Sequence, residues 1–145
     1  KRVLLNGWDF NTDENYQLNP DVNKHIKVTE DMLLVQYPLK YRNRYVTRYS
    51  KIYDKLNHSY EINNPLNVKV IWDIPYDELP ENFKCYIKMS AAYKFCKRAL
   101  GSETACVFTR EDVAEAYSDI LNYELETGNY SIIPEMYDRT VRGDI

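Results

Sequence analysis

Glycine is scarce, at four in 145 residues. That excludes a glycine-rich phosphate cradle, and neither the dinucleotide-binding GxGxxG pattern nor a P-loop occurs. Histidine is scarcer still: only His25 and His58, both in the half without helical period and far apart. No HExxH, no CxxC and no Cys/His cluster at zinc spacing is present, so the residues offer no metal site. His58 sits beside a turn and reads as a solvated turn residue, and no GxSxG nucleophile elbow exists. No apolar run approaches the length that crosses a membrane, and the opening Lys1-Arg2-Val3-Leu4-Leu5 lacks a signal-peptide core. A formal net charge of −3 is too small to make the whole molecule a polyanion binder. Three cysteines, Cys85, Cys96 and Cys106, are an odd number. They read as small buried hydrophobes in a reducing compartment, not as a disulfide framework. Nothing in the chain calls for a cofactor, and no catalytic residue stands out.

Tyrosine, by contrast, is abundant: 14, against 4 Phe and 2 Trp. Its ring buries while its tip stays wet, which suits partly hydrated interfaces. An A/T-rich genome, which also inflates Asn, Lys and Ile, gives the same excess. At this length one domain is expected, with about two-thirds of the unfolded surface buried. Val3-Leu4-Leu5 before Asn6-Gly7 reads as the end of a helix with a glycine stop, so the numbering is expected to start inside the native protein.

From Trp8 to Trp72 the period is that of strands. Trp8/Phe10, Tyr16/Leu18 and Ile26/Val28 alternate, and Leu33–Tyr37 is a short apolar run. Tyr45, Thr47 and Tyr49 alternate against Val46, Arg48 and Ser50. Ile52 and Tyr53 precede a turn-like Asp54-Lys55-Leu56-Asn57; Tyr60/Ile62 and Val68/Val70/Trp72 follow. Tyr53 to Ile62 is the favoured hairpin, and the whole predicts an antiparallel sheet or small sandwich.

Helices follow. Asp77-Glu78-Leu79-Pro80 marks a helix start. The first helix is predicted over 80–100, with one stripe of Phe83, Ile87, Ala91 and Phe95 and another of Cys85, Met89, Ala92, Cys96 and Ala99. A helix with two apolar faces must be covered on both: one by the sheet, the other by the second helix or a partner. Gly101 ends it. Ser102 or Thr109 caps the second helix, Thr109-Arg110-Glu111-Asp112 resembling a capping box. Its stripe is Val113, Ala116, Tyr117, Ile120, Leu121 and Leu125, and Gly128 stops it. The first helix is basic (Lys84, Lys88, Lys94, Lys97, Arg98) and the second acidic (Glu103, Glu111, Asp112, Glu115, Asp119, Glu124, Glu126). Either these are solvated faces worth little, or one meets a different copy of the chain, where complementary charge fixes register. The stretch 129–145 carries Ile132, Ile133, Met136, Tyr137 and Val141 without period, and is either frayed or docked on another subunit.

Two further readings come from other classes. Lys40, Arg42, Arg44, Arg48 and Lys51 interleave with Tyr41, Tyr45 and Tyr49, as in single-stranded nucleic-acid binders; an edge strand charged against aggregation gives the same pattern. Arg42, Arg44 and Arg48 could equally reach a neighbour from an exposed loop. Carboxylate pairs such as Asp77/Glu78 and Glu111/Asp112 could be read as a carbohydrate-active dyad, but helix starts explain them.

The order of these parts resembles the tail tubular protein A family of short-tailed bacteriophages. The resemblance rests on Gly7-Trp8-Asp9-Phe10-Asn11, then Tyr16-Gln17-Leu18-Asn19-Pro20-Asp21. It continues through Val70-Ile71-Trp72-Asp73-Ile74-Pro75-Tyr76-Asp77-Glu78-Leu79-Pro80-Glu81 to the acidic helix closing with Tyr123-Glu124 and Gly128. It implies an α+β fold, an antiparallel β-region inserted in a helical bundle and ending in a long antiparallel helical hairpin. It implies a virion structural protein, not an enzyme: a homo-oligomeric ring, usually a dodecamer, between the portal protein and the tail nozzle protein. DNA would pass through the channel without sequence-specific binding, with no membrane involved. The protein would reside in the virion tail, and in host cytoplasm during assembly. The family has further helical sequence before the GW motif, a point where this chain departs. The expected organisation is one domain: residues 1–6 the end of a helix, 7–79 β-rich, 80–128 a helical hairpin, 129–145 a tail. The interface candidates are Lys84, Lys88, Lys97 and Arg98 against Glu111, Glu115 and Asp119 of a neighbour.

Overall fold

The computed structural model describes residues 1–101 and 106–128. The chain divides into two compact units, Lys1–Pro75 and Tyr76–Ile145. Among the described residues all strands lie in the first unit and both α-helices in the second, an α+β arrangement.

The first unit opens with a 3-10 turn at Leu4–Asn6, stopped by Gly7 at φ 74°, whose N–H donates to the Leu4 carbonyl. Glycine is favoured here by its left-handed φ, and a Cβ would also lie 2.9 Å from Ile71 Cδ1, so that side-chain tip would have to shift. The expected Trp8/Phe10 strand alternation is overturned. Asp9–Asn11 is a second 3-10 turn, because Asn11 Oδ1 accepts the Trp8 N–H at 2.9 Å and winds the segment back on itself.

Five strands follow: β1 (Thr12–Leu18), β2 (Met32–Gln36), β3 (Tyr45–Arg48), β4 (Lys51–Asp54) and β5 (Leu66–Trp72). β5 is central in an antiparallel sheet of order β1-β5-β2. It buries Leu66, Val68, Val70 and Ile71, the pattern expected of a strand paired on both sides. β1 bulges between Asp13 and Tyr16, where Asn15 takes φ 55°, and Glu14 meets Lys69 of β5 at 2.7 Å.

β3 and β4 form a separate antiparallel pair. The hairpin is therefore here and not at Tyr53–Ile62. Arg48 pairs with Lys51 across a two-residue turn, Tyr49-Ser50, with φ 51° and 56°. Positive φ at both central residues matches the right-handed twist of the strands, but Tyr-Ser lacks the Asn-Gly signature that announces such turns. Ile26/Val28 and Tyr60/Ile62 are also not strands. The first segment lies along β4, with Ile52 N–H on the Ile26 carbonyl at 3.0 Å, yet makes only the bridge Lys27–Lys51. The second makes only Asp54–Ser59. Their apolar residues are nonetheless core: Ile26, Ile52 and Ile62 pack with Leu18, Tyr45, Leu66, Val68 and Val70.

The second unit holds α1 (Glu81–Leu100) and α2 (Arg110–Thr127), packed together. Phe83 meets Tyr123, and Tyr86 meets Tyr117, so the helices run antiparallel. Gly101 closes α1 at φ 65°, its N–H on the Lys97 carbonyl. Gly128 caps α2 in extended conformation. Thr109 is the N-cap: its hydroxyl accepts the Asp112 N–H at 3.1 Å, and Asp112 returns a carboxylate to the Thr109 N–H at 2.7 Å. Thr109→Ala is expected to cost about 1 kcal/mol in denaturant unfolding followed by helical circular dichroism.

The cysteine reading is corrected. Cys96 and Cys106 are joined in a disulfide with a Cα–Cα distance of 5.7 Å, and Cys85 is an exposed thiol. Comparing cysteines along one helix considers only Cys85 and Cys96; the return of the chain toward α2 brings Cys106 to Cys96. The expectations for Ser102, Glu103 and the stretch 129–145 lie outside the described residues.

Candidate functional site

The chemistry of this chain is structural, and it concentrates in a buried amide clasp, a cationic hairpin and an under-covered helix.

The clasp belongs to the Gly7-Trp8-Asp9-Phe10-Asn11 motif. Asn11 is 1% exposed. Its Nδ2 donates to the Leu4 carbonyl at 3.1 Å and to the Trp72 carbonyl at 2.9 Å, while its Oδ1 accepts from Trp8. Trp8 in turn donates its indole N–H to the Val3 carbonyl at 2.7 Å. One amide thus ties the first turn to the end of β5. A GW-x-FN pattern read along the sequence does not reveal this, because the partner at residue 72 is remote.

The cationic stretch sits on and around β3 and β4. Between Pro38 and Tyr60 stand Lys40, Arg42, Arg44, Arg48, Lys51 and Lys55, with Asp54 the one acid. Arg44 grips the buried Asp54 with both Nε and Nη2, the shortest contact being 2.8 Å. Asp54 also accepts the backbone N–H of Leu56 and Asn57 and the Asn57 side-chain amide. The Arg44 guanidinium, aided by those N–H groups, holds the Asp54 carboxyl below the usual range against the opposing pull of burial. Arg44 is therefore engaged inside its own chain. Arg42 and Arg48 are exposed. Of the tyrosines, Tyr41 carries Lys40 over its ring at 4.7 Å, Tyr45 carries Arg44 at 5.1 Å and Tyr53 carries Arg48 at 4.6 Å. Tyr49, at the hairpin tip, is 89% exposed. A shallow cavity of about 380 Å³ lies between Leu39-Lys40, Asn43-Arg44 and Lys55-Leu56.

On α1 only Phe83 is fully buried. Of the first expected stripe, Ile87 is half-buried while Ala91 and Phe95 are exposed; of the second, Met89, Ala92 and Cys96 are half-buried while Cys85 and Ala99 are exposed. Cys85, Lys88, Ala91, Phe95 and Ala99 share one solvent-facing side at helical spacing. Lys88, Lys97 and Arg98 are exposed there or at its margins. Lys84 is half-buried with Nζ 3.7 Å from Glu81, and Lys97 lies over the Tyr93 ring. On α2, Glu111, Glu115 and Asp119 are exposed at four-residue spacing, while Ala116, Ile120 and Glu124 form the buried face. Leu121 and Leu125, expected in the covered stripe, are exposed instead.

Where α1 ends and α2 is about to begin, a groove of about 350 Å³ is lined by Ala92, Phe95, Cys96, Ala99, Leu100, Val107 and Phe108. Among the described residues, no charged side chain lines it. Among the described residues no group of three or more His, Cys, Asp or Glu is placed to hold a metal, and no helix is long and apolar enough to cross a membrane.

Comparison with known proteins gives two matches. A family described as tail tubular protein matches residues 1–130. Tail tubular protein A of Klebsiella phage KP34 is 21% identical over 140 residues, covering 97% of this chain and 74% of that protein.

Proposed function

This chain belongs to the tail tubular protein family, and on that premise we propose that copies of it close into a ring between portal and tail nozzle. It is a structural component of the phage tail and not an enzyme, so the carbohydrate-active reading falls. In the proposed assembly, a dodecamer by resemblance, DNA passes through the central channel without sequence-specific contact. The β-region is inserted in a helical bundle, and loops at the two ends of the ring meet portal and nozzle. Arg42 and Arg48 are exposed and serve in such loop contacts, Arg48 from its place over the Tyr53 ring, whereas Arg44 acts through Asp54.

The observation that carries this reading is α1. A 20-residue helix that fully buries only Phe83 leaves apolar Cys85, Ala91, Phe95, Ala99 and Leu100 in water. Exposed apolar surface of that extent marks an interaction site. Its neighbours Lys84, Lys88, Lys97 and Arg98 are complementary to Glu111, Glu115 and Asp119 on α2. A head-to-tail contact between unlike faces closes into a ring when the rotation is right, and the opposite charges set its register.

Charge reversal tests it. Lys88→Glu is expected to shift the population from rings to monomers in sedimentation at moderate salt, and Glu115→Lys in the same chain is expected to restore rings. Rings that persist unchanged in the single variant would remove these residues from the interface. A nucleic-acid reading draws on the cation-rich stretch around β3 and β4. The faces of Tyr41, Tyr45 and Tyr53 already hold cations of their own chain, which leaves Tyr49 as the exposed ring for stacking. Filter binding with a steep salt slope would favour that reading.

A further inference from the structure

We propose that the apolar groove at the α1–α2 end receives the segment 129–138 of a neighbouring copy. The inference deepens the ring reading and rests on it.

The groove's described lining residues are all apolar, yet Phe95 is 75% exposed, Leu100 60% and Val107 87%. Large side chains left this bare beside a cavity are a docking site awaiting an apolar partner. On its α1 side the charges are of one sign: residues 92–100 include Lys94, Lys97 and Arg98 and no acid, while Glu111 and Asp112 stand at the start of α2.

The complementary sequence is in the same chain. Residues 129–138 read Asn-Tyr-Ser-Ile-Ile-Pro-Glu-Met-Tyr-Asp. Ile132, Ile133, Met136 and Tyr137 supply apolar anchors, and Glu135 and Asp138 are its only charges. An apolar segment carrying two acids complements an apolar groove whose α1 side is basic.

Reach decides which copy supplies it. The pairs Phe83/Tyr123 and Tyr86/Tyr117 place Ala92 level with the first turn of α2, near Asp112. At a rise of about 1.5 Å per residue, the groove then begins about 24 Å from Gly128 and extends to about 36 Å. Fully extended chain covers at most about 3.5 Å per residue. Ile132 and Ile133 therefore reach no more than about 18 Å from Gly128, short of their own groove. The anchors can seat together only in a groove belonging to another copy.

The test places a photo-crosslinking benzoylphenylalanine at Tyr137 of the whole chain and mixes normal with nitrogen-15-labelled protein before assembly. The expected result is crosslinks from position 137 to peptides spanning 92–108, in mixed-isotope pairs. Phe95→Asp, at an exposed position, should lower their yield at least tenfold with helical circular dichroism unchanged. Assemblies that form while crosslinks fall elsewhere, or occur only within one isotope, would overturn the groove assignment and leave the ring reading standing. A chain that remains monomeric by mass in the same samples would overturn both.

Discussion

Asn11→Leu is expected to destabilise the first unit by about 3–5 kcal/mol. The replacement is close in volume, so packing changes little, but it strands the polar groups that Asn11 satisfies. The Trp72 carbonyl loses its Nδ2 donor and the Trp8 N–H loses its acceptor, while the Leu4 carbonyl keeps only the Gly7 N–H. Leaving a buried backbone group unpaired costs about 1–3 kcal/mol each. Asn11→Asp separates the two halves of the clasp. It keeps the acceptor for Trp8 but turns a carboxylate oxygen toward two carbonyls, so at neutral pH it should be at least as damaging as leucine. Urea unfolding followed by tryptophan fluorescence reads this directly, because Trp8 and Trp72 are the only tryptophans and both contact the clasp. A midpoint shift worth less than about 1 kcal/mol in both variants would show that water or backbone adjustment replaces the amide.

Asp54→Ala is expected to cost about 3–5 kcal/mol, the range for removing one partner of a buried ion pair. The loss is not one contact. Arg44 is left half-buried without its carboxylate, and the N–H groups of Leu56 and Asn57, which shape the turn after β4, lose their acceptor. The pH dependence has a definite sign. The folded-state pKa of Asp54 lies below its ordinary 3.8, so its ionised form binds protons less readily folded than unfolded. The resulting stability is fully present above that ordinary value and is lost as pH falls through the folded-state pKa. Wild type should therefore lose stability on acidification below about pH 4 more steeply than Asp54→Ala, and the two curves should converge at low pH. Parallel curves would contradict the pairing. Arg44→Met should be comparably damaging, so any effect of an Arg44 variant on assembly must be read through the fold.

Much of this architecture was legible from period and punctuation. The alternation of Val68, Val70 and Trp72 found the central strand, Pro80 and Gly101 bracketed α1, and Thr109 with Asp112 gave the cap of α2. Burial was also legible where pairing was not: Ile26 and Ile62 are core residues on segments that never become strands, because alternation reports which side is dry and not where the backbone hydrogen bonds go. The β3–β4 hairpin was hidden by its turn, since Tyr49 and Ser50 adopt positive φ without glycine or asparagine to announce it. The Arg44–Asp54 pair and the Asn11 clasp were hidden for a different reason. Each depends on partners brought together by the fold, at separations of 10 and 61 residues, where spacing carries no signal. The Cys96–Cys106 link was missed because helical-face reasoning compares residues only within one helix.

On the assembly side, the sequence showed charge separation between the helices and two apolar faces on α1. It did not show which of those apolar residues α2 would cover. The structure leaves Phe95, Leu100 and Val107 bare at one end and Leu121 and Leu125 bare along α2. These add apolar surface to a charge pattern that, alone, would describe two solvated helices.

The most direct measurement is the mass of the purified chain in solution by sedimentation, followed from dilute to concentrated samples. Coverage of α1 by neighbouring copies predicts one discrete closed species at a whole multiple of the 17.3 kDa chain, near twelve copies, that Lys88→Glu dissolves. A single 17.3 kDa species at every concentration, with the amide protons of α1 equally protected throughout, would contradict it.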